Sequence, residues 1–281
     1  MTKSKLLSFV PYLILGMITI IGVGYINRNS PAIGSGKVSA ANVINCPFEV
    51  ILVIDASNSM VNKVEGKQKL DWAKEAAKTF VDFVDNSNQT GKIRIGIIAF
   101  RSGLVVNNAP SNNYNNVKAT IDSISQPGPK NGGTCTSCAL QAAYNDYFSL
   151  VPTTTNPIVI LLSDGGSSDM IYKECSQKDD PNVCHTRSVK EDNIWAEQIR
   201  NMTPGVGIYS IGIKSDGCRQ DTPPLLCYDE NHLKEMTGWI ERHYYAQIAA
   251  PQWAEKVIEI TQRSEFCVAQ PSPTPTSIPT P

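Results

Sequence analysis

The sequence has no surplus of charge. Twenty-five Lys and Arg stand against 26 Asp and Glu, leaving a net charge of −1, and charged residues make up 18% of the 281. That balance excludes a basic field for phosphate backbones and an acidic tail, so nucleic acid is not an expected partner and function must reside in local sites. Histidine is scarce. His185, His232 and His243 form neither an HExxH pair nor any other paired motif, and each reads as a surface or core residue. The run SDGGSS at 163–168 offers hydroxyls without the pattern of a nucleophile elbow and its positioned histidine. Gly132-Gly133 lacks the Lys-Ser/Thr partner of a phosphate loop. Nothing here argues for an enzyme.

Charge is missing altogether from residues 6–27, LLSFVPYLILGMITIIGVGYIN. At ~1.5 Å per residue, such a run crosses a hydrocarbon core of about 30 Å. Lys3, Lys5 and the terminal amine precede it and Arg28 follows. The positive-inside rule then leaves the N-terminus in the cytoplasm and the rest of the chain outside, as a single-pass signal anchor. The competing reading is a cleaved signal peptide, for which Val38-Ser39-Ala40 resembles a cleavage site, although it lies well past the apolar run. In that case the product is secreted.

Residues 28–45 are small and polar, a flexible spacer. Residues 268–281 alternate Pro with Ser and Thr, which reads as an extended polyproline-type stalk. Between them, 46–267 forms one block with a regular rhythm. Apolar strands are expected at 48–54, 93–100, 158–162 and 207–213, with shorter ones at 104–106 and 243–247. Helices are expected at 67–84, 114–124, 139–150, 194–202, 231–237 and 252–261. Strands alternating with helices imply crossovers and a mostly parallel sheet, buried on both faces. The expected fold is a doubly wound α/β domain, with its ligand site at the carboxyl ends of the strands.

The residues at those ends are informative. FEVILVI is followed by Asp55-Ala56-Ser57-Asn58-Ser59, and IVILL by Ser163-Asp164-Gly165-Gly166. Thr134 stands in a glycine-led loop just before a helix, so its hydroxyl joins the same edge. Taken singly, Asp-x-Ser is a common turn or cap, Asp-Gly a turn and Gly-Gly-Thr a loop. Together they gather two carboxylates and three hydroxyls without a histidine or thiolate. Such a set suits a hard divalent cation, Mg²⁺ above all, with Mn²⁺ or Ca²⁺ as substitutes. The two carboxylates balance the metal's charge, and a partner's Asp or Glu can supply the last oxygen.

The block resembles the von Willebrand factor type A family, whose metal-ion-dependent adhesion site reads Asp-x-Ser-x-Ser, then Thr, then Asp. Asp55, Ser57 and Ser59 match the first element, followed by Met60, which is also usual in the family. Thr134 matches the threonine, with Ala139-Leu140 at the expected distance, and Asp164 in LLSDGG matches the last aspartate. The stretches KLDWAKEAAKTFVDFV, KIRIGIIAF and HYYAQI agree, so the resemblance spans 47–262. It implies a Rossmann-like central sheet of about six strands, the short third one antiparallel. It also implies a cation held by Asp55, Ser57, Ser59, Thr134 and Asp164, directly or through water, and protein ligands that complete the shell with an acidic side chain.

Eight cysteines stand at Cys46, Cys135, Cys138, Cys175, Cys184, Cys218, Cys227 and Cys267. An even count fits disulfides in an oxidising compartment. A Cys46–Cys267 bond ties the two ends of the block, as similar bridges do in some members of the family. Local pairs, Cys175–Cys184, Cys218–Cys227 and Cys135–Cys138, are expected because short loops close most readily, but spacing alone does not choose the connectivity. A four-cysteine zinc site is disfavoured by the wide spacings of the Cys175/Cys184 and Cys218/Cys227 pairs. The expected function is an exported, membrane-anchored, metal-dependent protein-binding module in adhesion or surface contact. The alternatives are a structural subunit of a surface fibre or envelope assembly in which the metal is incidental, and a thiol redox protein using Cys135 and Cys138.

Overall fold

The computed structural model describes residues 47–87, 92–126, 133–150, 157–166, 181–202, 206–213, 229–240, 243–245 and 252–261. All belong to the larger of two compact units, Ala40–Pro281. The order is β1 (Phe48–Asp55), β2 (Lys63–Val64), β3 (Lys67–Gln68), α1 (Lys69–Asn86), β4 (Ile93–Phe100), β5 (Leu104–Ser111), α2 (Tyr114–Ser123) and α3 (Thr136–Ala142). Then come β6 (Ile158–Ser163), α4 (Pro181–Arg200), β7 (Gly207–Gly212), α5 (Glu230–Met236), β8 (Tyr244–Tyr245) and α6 (Trp253–Thr261).

Six strands form one sheet in the order β5-β4-β1-β6-β7-β8, in which only β5 runs antiparallel to its neighbour. The continuous apolar runs of β1 and β6 follow from burial on both faces. Val50, Leu52 and Ile54 point to one side and pack with Leu70 and Phe80 of α1, Ile121 of α2 and Val257 of α6. Ile51 and Val53 point to the other, against Leu140 of α3, Ile199 of α4 and Leu233 of α5. Each such aliphatic side chain contributes about 1.5–3 kcal/mol through its burial. After β1 the chain builds outward on one side through β4 and β5, then returns to lay β6 on the other. That reversal falls between β1 and β6, whose carboxyl ends mark the usual ligand position in doubly wound sheets.

Several elements differ from the sequence reading. β5 continues to Ser111 instead of stopping at residue 106, because pairing with β4 carries Asn107, Asn108 and Pro110 into the strand. It is an edge strand whose ladder has register shifts, where Asn and Pro are tolerated. A small hairpin, β2–β3, precedes α1: Glu65 and Gly66 both have positive φ, +52° and +80°, the conformation of a tight two-residue hairpin turn. α4 starts at Pro181 rather than at residue 194, since its buried stripe runs through the polar residues Ser188 and Asp192 before reaching Ala196 and Ile199.

Among the described residues, no helix is long and apolar enough to cross a membrane. The segment 6–27, the spacer and the tail lie outside the described residues. So do Cys46, Cys175, Cys218, Cys227 and Cys267 and the side chain of Cys184.

Candidate metal centre

Asp55 ends β1 and has no exposed surface. Its Oδ1 accepts the backbone N–H of Ser57 at 2.8 Å, and its Oδ2 accepts the Ser163 hydroxyl at 2.7 Å. The first bond closes an Asx-type turn that leads into a single 3₁₀ turn, Asn58–Val61. Met60 of that turn is fully buried and anchors it, while the Ser57 and Ser59 hydroxyl oxygens lie 3.0 Å apart. Asp164 follows directly after β6, whose Leu162 pairs with Ile54, so the second carboxylate stands beside the first. Asp164 is buried as well.

Thr134 is buried in the loop before α3. That loop is pinned to the end of β4: the Cys135 N–H donates to the Arg101 carbonyl, and the Gly133 N–H to the Ser102 hydroxyl at 2.9 Å. Phe100, which ends β4, pairs with Asp55. The five residues expected from the sequence therefore stand at one edge of the sheet.

Sequence reading missed two others. Ser163 holds Asp55 from the neighbouring strand, and Lys69 donates its Nζ to Asp164 Oδ2 at 2.8 Å, both side chains being buried. The signal for Lys69 is its place on the apolar stripe of α1, one turn before Ala73, where a cation needs a specific partner.

Burial and the neighbouring charge of Asp164 push the Asp55 carboxyl up to about 7, against the opposing hydrogen bonds from Ser57 and Ser163. Two ionised carboxylates beside a single ammonium leave one net negative charge, which a proton on Asp55 neutralises below its raised value. Every donor at this edge is a hard oxygen, in keeping with Mg²⁺. Among the described residues there is no group of three or more His, Cys, Asp or Glu that could hold a metal ion.

A pH dependence follows from the raised Asp55. A proton kept in the folded state stabilises it fully below the unfolded value of 3.8, and that stabilisation is lost as pH rises through about 7. Metal-free protein is therefore expected to melt at lower temperature at pH 8 than at pH 5. Glu49, raised by burial, acts in the same direction. So does His232, where burial alone lowers the pKa but the hydrogen bond and charge of Asp192 outweigh it. Mg²⁺ isolates the Asp55 part, because a cation favours the ionised carboxylate. The rise in melting temperature on adding Mg²⁺ is expected to be larger at pH 8 than at pH 5, and equal rises at both would refute the assignment.

The Asp164 loop is locked from behind by α5. The Asp164 carbonyl accepts the Asp229 N–H at 2.9 Å, and the Asp229 carboxylate caps α5 by accepting the His232 N–H at 3.0 Å. His232 is a core residue: Nδ1 lies 2.7 Å from the Gly165 carbonyl and Nε2 3.0 Å from Asp192 Oδ2 on α4. His243, also buried, stacks on Tyr209 with ring centroids 4.1 Å apart. The side chain of His185 lies outside the described residues.

Cys135 and Cys138 are bonded to each other, with Cα atoms 5.3 Å apart, and the Cys135 sulfur also accepts the Cys138 N–H at 3.1 Å. The bridge closes the first turn of α3 immediately after Thr134. For so small a loop the chain-entropy model gives about 2 kcal/mol. Cys135 is fully buried and Cys138 half-buried.

Residues 50–167, which include all five expected ligands, match the family model described as the von Willebrand factor type A domain. The chain carries a von Willebrand factor type A domain. Among curated proteins, it is 26% identical over 231 residues to Matrilin-3 of Gallus gallus, covering 79% of this chain and 43% of that protein. The chain spans less than half the length of the curated relatives it matches. Among solved structures, the type A domain is similar to the vWF domain of the type V pili tip protein Mfa5 from Porphyromonas gingivalis. That match has a TM-score of 0.61 at 15% identity and covers 83% of this chain and 99% of that one. It is also similar to the pilus adhesin SpaC from Lactobacillus rhamnosus GG, with a TM-score of 0.56 at 15% identity, covering 80% of this chain and 31% of that one. At these identities the likeness to the two solved structures establishes the fold of the type A domain.

Proposed function

We propose that this protein is an exported type A domain that holds a divalent cation, Mg²⁺ first, and through it binds a protein ligand. Asp55, Ser57, Ser59, Thr134 and Asp164 would hold the ion, and an Asp or Glu of the ligand would complete its shell. The observation that carries this reading is the pair of buried carboxylates at adjacent strand ends, with the Ser57 and Ser59 hydroxyls 3.0 Å apart beside them. When bound, the cation supplies an electrophilic centre for an outside carboxylate. The chain's own residues fix the oxygens in advance: Ser163 and the Ser57 N–H orient Asp55, and Lys69 orients Asp164. The pilus adhesin and the pilus tip protein among the structural relatives support adhesion. The apolar segment 6–27 supports an N-terminal membrane anchor, or secretion if it is removed.

The pilus relatives equally support the second reading, a structural subunit of a surface fibre or envelope assembly in which the metal is incidental. The test is capture of surface proteins by the purified chain in Mg²⁺ and in EDTA, repeated with Ser57→Ala, which removes a hydroxyl and no charge. Capture lost in EDTA and in the variant is the expected result. Capture indifferent to both would transfer the protein to the structural reading.

A further inference from the structure

Lys69 is the first residue of α1, and none of its side chain reaches solvent. Its place follows from the stripe it shares with Ala73, Ala76, Ala77 and Phe80, the stripe that packs α1 on the sheet. The backbone fixes the entry angle as well, since the Lys69 N–H donates to the Asn62 carbonyl at 3.0 Å, just beyond the Ser57-to-Ser59 turn. A helix built to fill the core thus delivers an ammonium to the edge where the two carboxylates stand. Its Nζ lies 2.8 Å from Asp164 Oδ2, whereas Asp164 Oδ1 faces the Gly166 N–H at 3.4 Å. Asp55 is held by uncharged donors, Ser57 and Ser163. Among the described residues the two carboxylates are therefore unequal: a buried cation faces Asp164, and neutral donors hold Asp55.

We propose that Lys69 determines the ligand specificity of this centre by acting as a fixed charge beside the metal. The inference rests on the reading that the site holds a divalent cation. Two ionised carboxylates and a divalent ion sum to zero, and a neutral centre has little need of a further anion. With the Lys69 ammonium the same centre carries one net positive charge in surroundings that water screens poorly. An outside carboxylate then restores neutrality, whereas a neutral oxygen donor does not. The same ammonium repels the entering cation, so the bare metal is held less tightly than the oxygens alone would hold it. Lys69 thereby couples metal retention to occupation by an acidic ligand.

A purely positioning role for Lys69 predicts the opposite sign, and the sign is measurable. In full-length protein, Lys69→Met keeps the length and removes the charge. The variant is expected to bind Mg²⁺, titrated alone by calorimetry, on the order of tenfold or more tightly than wild type. Acetate, as the carboxylate probe, is expected to tighten Mg²⁺ binding in wild type and to have little effect in the variant. Should Lys69→Met fail to fold, Lys69→Gln keeps a donor toward Asp164 and carries the same comparison. Mg²⁺ binding that is unchanged or weaker in the charge-free variant, with wild type binding normally, overturns the role of Lys69 alone. A folded wild type that takes up no Mg²⁺ overturns the metal reading, and this inference with it.

Discussion

Asp164→Ala is expected to lower the stability of the metal-free protein by about 3–5 kcal/mol, because it removes the carboxylate that faces the buried Lys69 ammonium. Lys69 is wholly buried and Asp164 is 1% exposed, so the pair lies away from bulk water. The loss is far larger than a surface pair would give, since exposed pairs such as Lys78–Asp122 contribute about 0–1 kcal/mol. Urea unfolding in EDTA measures it directly. The double variant carrying Lys69→Met as well is expected to recover most of the loss, as replacing both members of a buried pair usually does. A single-variant loss below about 1 kcal/mol would mean that Lys69 finds another anion, and that the pair does not organise the site. In Mg²⁺ the same variant is expected to lose cation binding along with a negative charge of the centre.

The second large effect concerns the residue after that carboxylate. Gly165 has φ of +80°, and a Cβ there would overlap the Asp229 carbonyl oxygen and stand 2.9 Å from Leu233 Cγ. Gly165→Ala therefore combines left-handed strain with a backbone clash, about 2–5 kcal/mol together. Relief requires α5 to move off the loop, which also disturbs the bond from the Asp229 N–H to the Asp164 carbonyl. The variant is expected to lose both melting temperature and Mg²⁺ affinity. Gly103→Ala is the control, because an added methyl there meets nothing within 4 Å. If the two variants behave alike, the close packing of α5 on the loop has no part in holding Asp164.

The placement of the candidate ligands at one sheet edge was legible because strand-end chemistry is local. Asp55, Ser57 and Ser59 follow an apolar run that can only be a buried strand, and the same holds for Asp164 after β6. What the sequence concealed is polar residues doing the work of packing. Lys69 sits among alanines and leucine on a core stripe, and the opposing carboxylate, 95 positions away, accounts for its charge there. Ser188 and Asp192 hide the first half of α4 in the same way, Asp192 being matched to His232 on α5. β5 was cut short because Asn107, Asn108 and Pro110 look like loop until β4 supplies the ladder. The start of α3 moved to Thr136 because a half-cystine sulfur, rather than a Ser or Asp oxygen, caps it.

The position of β1 has a mechanical consequence. The strand lies inside the sheet, begins at Phe48 and ends at the Asp55 carboxylate. If the proposed ligand binds at this edge, traction between it and the chain ahead of Phe48 would run lengthwise along this one strand. Its register with β4 extends from Phe48 to Asp55, and with β6 from Val50 to Ile54, all in parallel. Such a pull loads these hydrogen bonds in shear, many at once, instead of peeling them open one after another.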